Sequence, residues 1–166
     1  ACYYAPFFFM VGNAIAQSAQ PIISYNYGIG RWAEVRKART LLLSTSVAIG
    51  AVVALLFILI PDLLVALFVD ASSEAGQIAI AGFPYFATGI VFFILNVAIV
   101  GYYQSVEQIR RATTFVFLRG LALLVPCFIL LPRLLGTEGI WLAMPAAEFT
   151  TLAIILATSR RRRCQK

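Results

Sequence analysis

The sequence has no histidine, only three cysteines, and few charges for its 166 residues. Without imidazole there is no His-based metal site and no Ser-His-Asp triad. Cys2, Cys127 and Cys164 fall at the edge, in the body and at the end of the chain and show no metal-ligand spacing, so neither a metal nor a disulfide is implied. No Gly-x-x-x-x-Gly-Lys phosphate loop occurs. Enzymatic activity is therefore not expected, nor any cofactor. Charged residues make up 12% of the chain against 61% hydrophobic, a membrane composition. A soluble domain of this length must present much of its surface to water and could not bury so much apolar side chain.

Apolar runs long enough to cross a bilayer occur at about 3–25, 41–60, 78–102, 112–132 and 139–158. Lipid offers backbone groups no partner, so each run is expected to be a helix. The expected fold is all-α, a polytopic membrane bundle over 1–158 followed by a basic tail over 159–166. The chain begins with Ala and enters the first span almost at once, with no signal-peptide pattern, so it is expected to be a piece of a longer protein.

The net charge of +6 records topology and does not call for nucleic acid. Arg31, Arg36, Lys37 and Arg39 follow the first span, Arg110 and Arg111 the third, and Arg160 to Arg163 with Lys166 the fifth. The intervening loop holds Asp62, Asp70 and Glu74, and Arg133 stands alone before the fifth span. By the positive-inside rule, loops 26–40 and 103–111 and the C-terminal tail are cytoplasmic, in the plasma membrane of the cell, and 61–77 and 133–138 face outward. Trp32 to Thr40 suits a short interfacial helix running into the second span. The stretch from Leu63 to Asp70 is apolar but too short to cross. It is expected to lie along the outer surface or fold back on the bundle, with Pro61 at the break and Asp62 as a cap; a longer, tilted second span is the alternative.

Polar groups inside lipid point to function. Asn13, Gln17, Gln20 and Ser24 share one face of the first span, and four such groups on one face read as the wall of a substrate pathway. On the third span Tyr85, Thr88, Phe92, Asn96 and Tyr103 lie near one line, mixing aromatic surface with hydrogen-bonding groups as bulky, partly apolar ligands or organic cations require. Glu148, midway along the fifth span, must either pair or take up a proton, and so is a candidate for ion coupling; Trp141 and Met144 precede it on roughly the same face. Arg119 is the other intramembrane charge. It can snorkel to the interface, pair with Glu148 or clamp a loop.

Four stretches resemble the multidrug and toxic compound extrusion (MATE) transporters. Gln17-Ser18-Ala19-Gln20-Pro21-Ile22-Ile23-Ser24-Tyr25-Asn26-Tyr27-Gly28 with Val35-Arg36-Lys37-Ala38 is similar to the eighth helix and its following loop. Leu67-Phe68-Val69-Asp70 resembles the Leu-Phe-x-Asp outer turn, Gln104 with Arg119 the passage from helix ten to eleven, and Gly136-Thr137-Glu138-Gly139-Ile140-Trp141 the Gly-x-x-Gly-Val-Trp approach to helix twelve. The resemblance implies helices eight to twelve of a twelve-helix protein, most of the second of two lobes that rock around a central cavity and export drugs in exchange for protons or sodium. The missing first lobe and the bilayer are then its partners. Near Phe93 the sodium-coupled branch carries an acidic residue. Its replacement by an apolar one favours H+ over Na+ as coupling ion. After Gln104, where the family often has Gly, this chain has Ser105, Val106 and Glu107. The competing expectations are a related flippase of lipid-linked sugars, whose groove should carry cations for pyrophosphate, and a non-transporting membrane scaffold or truncated product.

Overall fold

The computed structural model describes residues 4–70 and 72–161. In chain order the elements are α1 (Ala5–Gly28), α2 (Trp32–Leu59), α3 (Pro61–Ala66), α4 (Glu74–Ser105), α5 (Ile109–Phe117), a π-helical turn (Leu118–Leu123), α6 (Leu124–Leu135) and α7 (Thr137–Arg161). The fold is an all-α membrane bundle. Four helical stretches, Trp32–Leu59, Glu74–Ser105, Ile109–Leu135 and Thr137–Thr158, are long and apolar enough to cross a membrane among the described residues. α1 matches them in reach, since 24 residues extend about 36 Å, but amides dilute its apolar character and it does not join them.

α4 is the hub. It is apolar on every side, so it has no face to give to water and sits at the centre, with α1, α2, α3, α5 and α7 packed against it. Phe83, Phe86, Ala87, Ile90 and Ile94 of α4 meet Phe8 of α1, Ala54 and Phe57 of α2 and Met144 of α7 in one core. The α4–α7 seam depends on missing side chains. A Cβ on Gly89 would stand 2.8 Å from the Pro145 Cα, and one on Gly82 would overlap the Trp141 indole. Small residues here let the helices touch backbone to side chain, the contact lipid cannot replace.

The two ends differ in chemistry. At one, Tyr4, Phe57, Phe68 and Phe83 meet edge to face, and the Tyr4 hydroxyl donates to the Leu64 carbonyl at 2.7 Å. This folds the apolar outer segment back onto the bundle as α3, whose N-cap is Ile60. Asp62 sits in the first turn and makes no capping bond, which corrects its expected role. Asp70 then accepts from the Ser72 hydroxyl at 2.7 Å and amide at 2.9 Å, which holds its carboxyl below the usual carboxylate range. Ser73 caps α4 by accepting from the Gly76 amide. At the opposite end Arg39 lies over the Tyr102 ring and Arg111 over Tyr103.

Trp32 to Thr40 is helical and runs unbroken into the following span as the first turns of α2. α1 ends at Gly28, and Gly30 takes a φ of 74° in the turn before α2.

Candidate functional site

The charges of the fourth and fifth spans meet. Arg119 lies in the π-helical turn and Glu148 near the middle of α7, and the Arg119 Nη2 donates to Glu148 Oε1 at 2.7 Å, with Nε donating to the same oxygen at 3.1 Å. Asn96 of α4 donates from Nδ2 to the other carboxylate oxygen, Oε2, at 2.7 Å and to the Glu148 backbone carbonyl at 2.9 Å. Two elements thus supply the α7 carboxylate with a cation on one oxygen and an amide on the other. Glu148 and Asn96 are buried, and the Arg119 side chain is 11% exposed.

The guanidinium also lies 4.3 Å from the centroid of the Phe93 ring, a cation–π contact that shields its face. The local backbone is adapted to this. A π-turn inserts extra backbone and rotates the residues after it, which is why such turns recur where a helix must aim a side chain. One polar atom is left over: Asn96 Oδ1 is buried and has no partner among the described residues.

A cavity of about 330 Å³ opens beside the pair. Its polar lining is Arg119 and Glu148; the apolar wall includes Phe9, Phe86, Phe93, Phe128 and Met144, with Ala5 and Gly120 leaving room. This size and mixture, an aromatic wall with two placed charges, is what small-molecule sites present.

The expected site residues divide. Met144, Glu148 and Arg119 line this cavity. Asn96 reaches it only through the carboxylate. Phe92 packs on Phe149 at 5.5 Å in the α4–α7 seam, and Trp141 packs on Phe83 and Phe86 in the same seam. Tyr85 and Thr88 are exposed, and the Thr88 hydroxyl donates back to the Tyr85 carbonyl. Tyr103 is buried against Phe115 near the basic end. On α1, Asn13 is half-buried, Gln17 and Gln20 are exposed, and Ser24 donates to the Ser105 carbonyl at 3.1 Å. Ala5 and Phe9 lie on the same helical line as Asn13 and Gln20, so the amide stripe continues from the cavity wall along α1.

Sequence reasoning missed Phe9, Phe86 and Phe128 and passed over Phe93 as merely apolar. The available signal was the seven-residue spacing of Phe86 and Phe93, which puts both on one face of α4, beside the line through Asn96.

Comparisons with curated proteins and with solved structures return no match. A family model, MatE, matches residues 3–129, most of the chain and all of the elements up to α6. That match covers more than half of the chain, and the chain belongs to the MATE family of membrane transporters.

Proposed function

We propose that this chain is most of the second lobe of a proton-coupled drug exporter, and that the Arg119–Glu148–Asn96 cluster beside the aromatic cavity is where ligand and proton compete. The observation that carries the proposal is one buried carboxylate facing both a cation and an apolar cavity large enough for a small organic molecule. With the cavity empty, Arg119 neutralises Glu148. An organic cation entering the cavity stacks on Phe86 and Phe93 and competes with Arg119 for the carboxylate. A proton on Glu148 removes the charge that both cations need, which makes ligand and proton mutually exclusive. Mutual exclusion at one group is the minimum requirement for antiport, and rocking of two lobes around the cavity would expose it to each side in turn. The proposed setting is the plasma membrane with the basic loops and the C-terminus cytoplasmic, an orientation that the excess of Lys and Arg on that side supports.

The flippase reading is weaker on this geometry. A pyrophosphate headgroup calls for several free cations, whereas the cavity offers Arg119 alone among its lining residues, already held by Glu148.

The test is Glu148→Gln in the full-length protein, measuring efflux of cationic dyes from cells against membrane abundance of the transporter. Efflux per transporter in the membrane is expected to fall about tenfold or more, the loss that follows removal of a charge-dependent step worth at least 1.4 kcal/mol. Wild-type efflux from the variant would reduce Glu148 to a structural partner of Arg119.

A further inference from the structure

A second hollow lies at the basic end, away from the cavity above, between α2, α4 and α7. It measures about 770 Å³ and has two chemically distinct parts. Its mouth is formed by Arg36, Arg39, Thr40 and Ser44 on successive turns of α2. Its throat runs along the bundle between Leu43 and Val47 of α2, Leu95 and Ile99 of α4, and Leu152 and Leu156 of α7. No carboxylate lines it. The nearby Lys37 is already paired with Glu34 at 2.8 Å, whereas Arg36 and Arg39 have no acidic partner among the described residues. Arg39 rests over the Tyr102 ring at 5.2 Å, which holds the guanidinium by its face and leaves its in-plane N–H groups free to donate.

We propose that this groove is a binding site for one anionic glycerophospholipid of the leaflet that meets the basic loops, its phosphate held by Arg36 and Arg39 and an acyl chain lying in the throat. Charge complementarity identifies the headgroup: two unneutralised guanidiniums about one helical turn apart match the oxygens of a phosphodiester, and guanidinium binds them in pairs. The throat identifies the rest of the molecule. A free phosphate would occupy the mouth and leave an apolar channel between three helices unfilled. A neutral lipid would fill the channel and leave both guanidiniums without an anionic partner. Basic pockets between membrane helices on this side of a bilayer are suited to such headgroups. A lipid here would touch α2, α4 and α7 together and so stiffen the lobe's α4 hub.

The experiment is thermal unfolding of the full-length protein in neutral detergent, titrated with dioleoyl phosphatidylglycerol, dioleoyl phosphatidylcholine or inorganic phosphate. Phosphatidylglycerol is expected to bind about thirtyfold tighter than phosphatidylcholine, the combined effect of two basic residues beside its headgroup. Arg36→Gln with Arg39→Gln should bring the two lipids level. Arg110→Gln with Arg111→Gln, equally basic and at the same end, should keep the preference. Val47→Trp fills the throat and leaves both guanidiniums in place, and it should weaken phosphatidylglycerol binding several-fold. Inorganic phosphate should leave the melting temperature unmoved. Equal binding of the two lipids by the wild type, loss of preference in the Arg110/Arg111 variant, no effect of Val47→Trp, or a full shift with phosphate alone would each overturn the assignment.

Discussion

At the scale of residues, the site is governed by what happens to a buried charge when its partner is lost. Glu148 is surrounded by α4 and the π-turn, and Arg119 supplies its counter-charge. Removing one member of such a pair leaves the other uncompensated, at a cost of about 3 to 5 kcal/mol, whereas replacing both by apolar groups of similar size is close to neutral. The two members are not equivalent. Arg119 without Glu148 still has the Phe93 ring beneath it and a partly exposed stem, while Glu148 without Arg119 keeps only the Asn96 amide. Arg119→Met is therefore expected to lower stability more than Glu148→Gln, and the double variant to recover most of the loss, as read by unfolding in detergent. Additive losses would show that the pair is not an energetic unit. Glu148 stood out in the sequence because a carboxylate in an apolar run is costly wherever it points. Its partnership with Arg119 did not, because a separation of 29 residues between two helices says nothing about rotation. Phe9, Phe86 and Phe93 did not stand out for the opposite reason: a phenylalanine facing a cavity and one facing lipid read alike, and only the spacing of Phe86 and Phe93 hinted at a shared face.

At the scale of elements, helix ends carry information that hydropathy does not. α1 and α4 end with the same hydrogen-bond pattern. Arg31 donates from its amide to the Asn26 carbonyl and Gly30 to Tyr27, and Gln108 donates to Tyr103 and Glu107 to Gln104. Both are Schellman closures, which need a left-handed residue. In the first that residue is Gly30, at a φ of 74°; in the second it is Glu107, at 58°. The place where this chain departs from the family's frequent glycine is therefore one where a side chain strains the backbone. Glu107→Gly is expected to raise stability by about 0.5 to 1 kcal/mol, and Gly30→Glu to lower it by a similar amount or more. Thermal unfolding of the two variants checks this, and a loss of stability in Glu107→Gly would mean that the Glu107 side chain has a partner worth more than the strain. The helices outrun the apolar spans for a related reason. Hydropathy reports where lipid ends, while α2 and α4, at 28 and 32 residues, extend about 42 and 48 Å and project beyond a hydrocarbon layer about 30 Å thick. Trp32 to Thr40 falls outside the apolar run because it leaves the lipid, while the helix continues through it.

At the scale of the whole molecule, two kinds of exposed surface must be told apart. Val52, Leu55 and Leu59 of α2 are exposed and apolar, so lipid suffices to cover them. Gln17 and Gln20 of α1 are equally uncovered, but an amide facing lipid lacks hydrogen-bond partners and costs free energy that a leucine does not. Their stripe continues the line of Ala5 and Phe9 from the cavity wall, so in the proposed transporter it borders the water-filled path between the lobes. A non-transporting scaffold would instead press the stripe against a neighbouring helix and keep it dry. With the native cysteines replaced by serine in the full-length protein, Gln17→Cys is expected to react with a membrane-impermeant thiol reagent and Leu55→Cys to resist it. Asn96→Cys should react far more slowly than Gln17→Cys, because the side chain at 96 is sealed between α4 and α7 against Glu148. Ligand present during labelling should slow the reaction at position 17 and leave that at 55 unchanged. Equal resistance at 17 and 55 would place the stripe in a dry contact, and the path would then have to run along some other face of the bundle.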